Sequence, residues 1–241
     1  MHRAACLLQV LPDADGTQER KLPVLCGNPV PFGENHIRKR VFSVVDRPIL
    51  FSIIPSVNIG RSGFGGCFPG IALSFCLGKE KPCVRRQEFR MALDDDGSPG
   101  YYDLVHPCYT VFHKDTETFS CLWTAYTPDY ESFCAAWEND MAVYGNLPGL
   151  SPQSDTPKNT FPVSTLPWSG FEGFNLNLQN GYDYLPPIFT MGRFYEENGK
   201  VLLPLAVQVH HAVCDGFHLC RFIRELQELL DVWGEQAEQN A

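Results

Sequence analysis

Two histidines stand side by side in "VQVHHAVCDGFH", residues 207–218, at the end of an apolar run and just before the pair Asp215-Gly216. An imidazole titrates near neutrality and, once a second contact fixes its tautomer, can take a proton from a hydroxyl or a thiol. In an extended strand Val207, Val209 and His211 share one face, while Ala206, Gln208 and His210 share the other. The two rings therefore cannot do the same job, and a regular strand would not aim both at one metal ion. His218 lies further on in a helical pattern, and the cysteines offer no zinc-like spacing, so no metal is expected. Two readings stay open for the pair. It is a set of satisfied core histidines capping a strand, or it is a general base with Asp215 held within reach by the turn at Gly216.

A second cluster, "FPVSTLPWSGFEGFNLN" (161–177), sets Ser164 among Trp168, Phe171, Phe174 and Leu176. The GxSxG pattern is absent, which makes Ser164 a poor nucleophile. A lone hydroxyl beside an apolar wall can instead donate to a developing oxyanion. Aromatic clusters of this kind are most often core.

These residues need elements to position them. "RPILFSIIPSVNI" (47–59) reads as a strand that Pro55 confines to an edge or a bulge. "EFRMALDDDGSPGYYDLVHPCYTVFH" reads as strand, acidic turn at Asp96-Gly97, and strand. "PDYESFCAAWENDMAVYG" spaces Phe133, Trp137, Met141 and Tyr144 for a helix from about Pro128 to Gly145. "PPIFTMGRFYEENGKVLLPLAVQVHH" is a hairpin with Asn198-Gly199 at its tip. The last pattern, "GFHLCRFIRELQELLDVW", predicts a helix with Phe217, Cys220, Ile223, Leu226, Leu230 and Trp233 as its apolar stripe. The glycine-rich "GRSGFGGCFPG" lacks the spacing of a phosphate loop and reads as a flexible loop. Strands and helices mix as in a layered α+β or α/β domain.

Composition narrows the function classes. The 241 residues are 44% hydrophobic, enough to bury one sizeable core, and their net charge of −9 gives no general attraction for nucleic acid or anionic membranes. Ten cysteines spread without a CxxC pair point to reduced thiols in a cytoplasm rather than a disulfide scaffold. "MHRAACLLQVLPDADG" is a weak signal-peptide candidate, and no apolar run approaches the ~20 residues of a membrane helix.

Four blocks, "HPCYTVFHKDTETFS", "VSTLPWSGFEGFNLN", "PIFTMG" and "PLAVQVHHAVCDGFH", together closely resemble the chloramphenicol acetyltransferase family. HHxxxDG alone is also carried by dihydrolipoyl acyltransferases and peptide-synthetase condensation domains; the surrounding blocks are far more specific. The likeness is strong from about Glu88 to Trp233 and fainter from about His36 to Ile59. It implies an α/β two-layer sandwich, a mixed sheet packed with helices, over one domain at 36–241 that follows an N-terminal extension at 1–35. It further implies a cytoplasmic homotrimer with active sites between subunits, acetyl-CoA as cosubstrate, no metal, and resistance through acetylation of chloramphenicol on its primary hydroxyl. Transfer is direct, without an acetyl-enzyme. By this resemblance His211 is the general base, Ser164 bonds the tetrahedral oxyanion, and Thr190 holds a water near it. Asp215 pairs with an arginine and braces the site. Phe119 and Leu176 wall the antibiotic pocket, with Phe174 beside Leu176.

The chain also departs from the family. Its arginine motif W-x-R-x-E-x-F is reduced to "IRKRVF", leaving Arg38 as the partner for Asp215. The aromatic pair after that motif falls near Val44 and Val45, and Ser151 stands where a phenylalanine is expected. From Gly60 to Gln87 the family has a long helix, whereas this stretch holds six glycines, Pro69 and Pro82, each glycine costing about 1 kcal/mol and each proline about 3 in a helix. Two other functions follow from these departures: an acyltransferase with another hydroxyl acceptor, or a non-catalytic trimeric homologue.

Overall fold

Turn chemistry decides where the first hairpins form. Gly97 takes φ +79°, a value glycine adopts without strain, and Asp94 accepts the Ser98 N–H at 2.9 Å to close the acidic turn. Asn198 and Gly199, at φ +50° and +75°, form the two-residue turn expected of that pair. The computed structural model describes residues 86–176 and 183–239, together with the backbone of short strands at 38–39, 50–53 and 56–58. The extension expected at 1–35, the pocket positions Val44 and Val45, and the glycine-rich stretch as far as residue 85 lie outside the described residues.

In chain order the described strands are β1 (Arg38–Lys39), β2 (Leu50–Ile53), β3 (Ser56–Asn58), β4 (Met91–Leu93), β5 (Pro99–Tyr101), β6 (His106–His113), β7 (Thr118–Trp123), β8 (Thr160–Thr165), β9 (Ile188–Met191), β10 (Tyr195–Glu197) and β11 (Lys200–His210). The helices are α1 (Tyr130–Tyr144) and α2 (Gly216–Gln239). β1, β5 and β4 make a small sheet, in that order. The main sheet runs β10-β11-β9-β8-β6-β7, with β8 parallel to both β6 and β9 and the other pairs antiparallel.

β11 is the long central strand. One of its edges carries β2 and β3, which share a single register, so of the edge or bulge expected from Pro55 the register leaves the edge; Pro55 itself lies outside the described residues. The other edge carries β9 and β10. Between the pairs Leu205↔Met191 and Leu202↔Tyr195 the second strand has one residue more, so the edge bulges at Gly192–Phe194.

Strand alternation divides the main sheet into two unlike faces. Tyr109, Leu122, Phe161, Val163, Phe189, Met191, Leu205, Val207 and Val209 point one way and form the core with both helices. α1 is capped by Asp129, which accepts the Ser132 N–H at 2.9 Å, and it ends at Gly145. Trp137, Met141 and Tyr144 lie half-buried against the core.

The apolar stripe of α2 differs from the one the sequence suggested. Leu219, Phe222, Leu226 and Leu230 are buried, while Phe217 is 71% exposed and Cys220 is exposed. Phe217 lies in the same first turn as the buried Leu219 but on the other side of the helix, where the Arg221 guanidinium stacks over its ring at 5.4 Å. Ile223 is half-buried, and the side chain of Trp233 lies outside the described residues. Two ion pairs from the 3₁₀ turn at 87–89 and its flank fix the helix axis: Arg221 to Glu88 at 2.5 Å, and Arg86 to Glu225. No helix among the described residues is long and apolar enough to cross a membrane.

Candidate active site

The face of the sheet opposite the helices carries most of the chemistry. Ser164 on β8 is paired with Thr190 on β9, and Thr190 with Ala206 on β11, so these three side chains form one row across the sheet. Ser164 is half-buried and Thr190 is buried. By the same alternation Cys108, Thr110 and Phe112 of β6 and Phe119 and Cys121 of β7 stand on this face. Phe119 is 54% exposed, and its cross-strand neighbour Phe112 meets the exposed Trp168 edge-on at 4.8 Å.

A strap at residues 166–176 crosses this face. The Leu166 N–H donates to the Met191 carbonyl at 2.8 Å, and the Arg193 N–H donates to the Ser169 carbonyl at 3.0 Å. Phe171 lies so close over Gly192 that a Cβ there would meet its ring at 3.0 Å. Phe171 and Phe174 pack with ring centroids 5.2 Å apart. At its far end both backbone groups of Leu176 are bonded to the side chain of Gln208.

The two histidines fall in different elements, His210 closing β11 and His211 opening the turn that follows. His210, the last residue of β11, is buried, and its carbonyl accepts the N–H groups of Val213 and Cys214 at 3.1 and 3.0 Å. Its Nδ1 accepts the Ala212 N–H at 3.2 Å, which puts the ring proton on Nε2. Burial, and then the neighbouring His211, push its pKa down, so the ring stays neutral. His210 is thus a clamp on the turn. His211 is the first residue of that turn and is half-buried.

Asp215 ends the turn by capping α2. Its Oδ1 accepts the N–H groups of Phe217 and His218 at 3.0 and 3.2 Å, and the His218 Nδ1–H at 2.6 Å. Partial burial opposes ionisation, but these bonds outweigh it and hold the carboxyl below its ordinary range. Sequence reasoning had not singled out His218 as a partner. The signal was available in "DGFH", a cap residue followed three positions later by a side chain that can donate back to it. Arg38 lies in β1 opposite Tyr101, and its side chain is outside the described residues.

Ser164 and Thr190 are thus brought together, with Phe119 and the strap residues Phe174 and Leu176 on their face. His211 and Asp215 belong to a different place in the chain. Four residues of β11, the step into the turn and two strand spacings separate His211 from Ser164, roughly 19 Å between Cα atoms at ideal sheet spacings. Their combined side-chain reach is about 7 Å, and a reacting carbonyl would need both within about 3 Å of its atoms. Two copies of the chain meeting face to turn would remove that gap.

A model of the family described as chloramphenicol acetyltransferase matches residues 81–227. The chain belongs to that family. A chloramphenicol acetyltransferase of Vibrio anguillarum is 60% identical over 146 residues, spanning 61% of this chain and 68% of its own. One of Campylobacter coli is 58% identical over 147 residues, spanning 61% and 71%. Among solved structures, a chloramphenicol acetyltransferase superposes with TM-score 0.64 at 20% identity, over 75% of this chain and 88% of its own. A dihydrolipoamide acetyltransferase of Azotobacter vinelandii follows the same fold at TM-score 0.54 and 18% identity, over 75% and 81%. The fold is therefore the two-layer α/β sandwich of the acetyltransferases. The matched stretch holds Phe119, Ser164, Phe174, Leu176, Thr190, His211 and Asp215, and Arg38 precedes it.

Proposed function

We propose that this protein is a chloramphenicol O-acetyltransferase that moves the acetyl group of acetyl-CoA directly to the primary hydroxyl of the antibiotic. The observation that carries the reading is the Ser164–Thr190 row on the sheet face turned away from the described helices, within a stretch that matches the family. His211 takes the hydroxyl proton as that oxygen attacks the thioester carbonyl. The Ser164 hydroxyl donates to the oxyanion of the tetrahedral intermediate, and the buried Thr190 hydroxyl holds a water beside it. Collapse of the intermediate expels the CoA thiolate, which recovers the proton from His211. Phe119, Phe174 and Leu176 wall the acceptor pocket. Asp215 braces the His211 turn through the α2 cap, with Arg38 as a second partner.

The ~19 Å gap within one chain supports a site between copies, with His211 of one subunit meeting Ser164 of the next. By the family resemblance the protein would be a homotrimer, with the 36–241 stretch its one domain, working in the cytoplasm without metal or nucleic acid. Release of free CoA thiol from acetyl-CoA, followed with and without chloramphenicol, tests this reading. His211→Ala should lose a factor of ~10² to 10⁴ and Ser164→Ala about 10². Release by wild-type protein that does not depend on chloramphenicol, or full turnover by His211→Ala, would overturn it. Ser151, at the end of the exposed 146–151 stretch where the family resemblance leads one to expect a phenylalanine, favours a second reading in which another alcohol is the acceptor. A panel of acceptor alcohols distinguishes the two.

A further inference from the structure

Gln208 sits on β11 between Ala206, which faces Thr190, and His210, which clamps the His211 turn. It is buried, at 3% exposure, in the middle of a sheet whose other face is apolar core. A buried amide is costly unless all its groups are bonded. Here it is bonded twice to one residue: its Oε1 accepts the Leu176 N–H at 2.8 Å, and its Nε2 donates to the Leu176 carbonyl at 2.9 Å. The pair imitates one rung of a β-ladder, except that a side chain replaces the neighbouring strand. Thirty-two residues separate the partners in sequence.

The consequence is geometric. The strap at 166–176 is held at its near end by β9 and by Phe171 over Gly192, and at Leu176 by Gln208. Hydrogen bonds to both backbone groups fix the peptide planes on either side of Leu176, and so fix the direction of its side chain. Glutamine suits this task because it offers a donor and an acceptor side by side at the required reach. Asparagine is one methylene shorter, glutamate lacks the donor, and leucine lacks both.

We infer that Gln208 is a positioning residue for the acceptor: it sets the pocket wall by holding Leu176, and so governs acceptor binding rather than the acetyl donor or the chemical step. This rests on the reading of Leu176 as an acceptor wall. Steady-state kinetics with chloramphenicol and acetyl-CoA test it on wild-type protein, Gln208→Leu and Gln208→Glu. Both variants should raise the KM for chloramphenicol about ten-fold, the equivalent of one net hydrogen bond, with kcat and the KM for acetyl-CoA within about two-fold. In a Leu176→Ala background the further effect of Gln208→Leu on the chloramphenicol KM should shrink below about two-fold, because the group being positioned is gone.

An active wild-type protein whose Gln208→Glu variant melts earlier but keeps its chloramphenicol KM would overturn the inference and leave Gln208 a core residue. Additive effects of Gln208→Leu and Leu176→Ala would overturn it too. A wild-type protein with no chloramphenicol turnover would instead defeat the functional reading beneath it. If Gln208→Leu does not fold, Gln208→Glu, which keeps the acceptor for the Leu176 N–H, decides the matter.

Discussion

Mixing two inactive variants should restore activity. Ser164 lies in the middle of the sheet and His211 just past the end of β11, roughly 19 Å apart within one chain. If each site takes His211 from one copy and Ser164 from the next, a site in a mixed trimer is intact only when the first copy carries Ser164→Ala alone and the second His211→Ala alone. With equal amounts assembled at random, that arrangement has a probability of about one quarter, since mixed trimers make up about three quarters and each holds one intact site of three. The co-refolded preparation should therefore show about 25% of wild-type chloramphenicol-dependent CoA release, whereas each parent shows about 1% or less. Native mass spectrometry reports the proportion of mixed trimers in the same sample. Activity no higher than the mean of the parents, in a preparation shown to be mixed, would refute the shared site and require the two residues to meet within one chain.

Three further outcomes follow from the local chemistry. His210 has a folded-state pKa below the ordinary value of about 6.5, so its contribution to stability is complete above that pH. As pH falls below about 6.5 the unfolded chain takes up the proton first, and stability drops by up to about 1.4 kcal/mol per pH unit until the folded pKa is reached. His210→Asn keeps an acceptor for the Ala212 N–H and should flatten the melting-temperature curve in that window. Asp215→Ala removes the cap of α2 and should cost about 1 kcal/mol in denaturant unfolding, less than additively with His218→Ala because the two are bonded to each other. On β7, a hydrogen bond from the Cys108 thiol brings Cys121 down to about 7, against the opposing effect of burial. Carbamidomethylation of Cys121, followed by peptide mass spectrometry, should reach half its maximal rate near pH 7, and Cys108→Ala should move that midpoint up toward the ~8.5 of a free thiol.

Some of these features could be read from the chain and others could not, for physical reasons. The two hairpin turns and the span of α1 were legible because glycine, asparagine and cap residues act over a few positions. Strand alternation said only that His210 and His211 could not do the same job; the role of each came from the family resemblance. The stripe of α2 was misread because the pattern was begun at Phe217, on the side of the helix turned away from the core; the buried set Leu219, Phe222, Leu226 and Leu230 has an equally good helical spacing. The Ser164–Thr190 row depends on a parallel register between β8 and β9, which no local pattern encodes, and only the family resemblance drew the two together. The Gln208–Leu176 bonds left no trace in the sequence, since a side chain grasping a distant backbone produces neither a period nor a motif. Arg38 as the partner of Asp215 stays a proposal of that resemblance.

β11 has a consequence for how the chain is made. It is the last strand of the main sheet in sequence, yet it pairs with β2, β3, β9 and β10. During synthesis the ribosome therefore releases both flanks of the sheet before the strand that joins them, and for about 8 to 30 seconds after β2 emerges its edge has no partner. Open strand edges at that stage are sites for pairing with another nascent chain. Yield in the cell should thus respond more steeply to translation rate and chaperone supply than the stability of the finished fold would suggest.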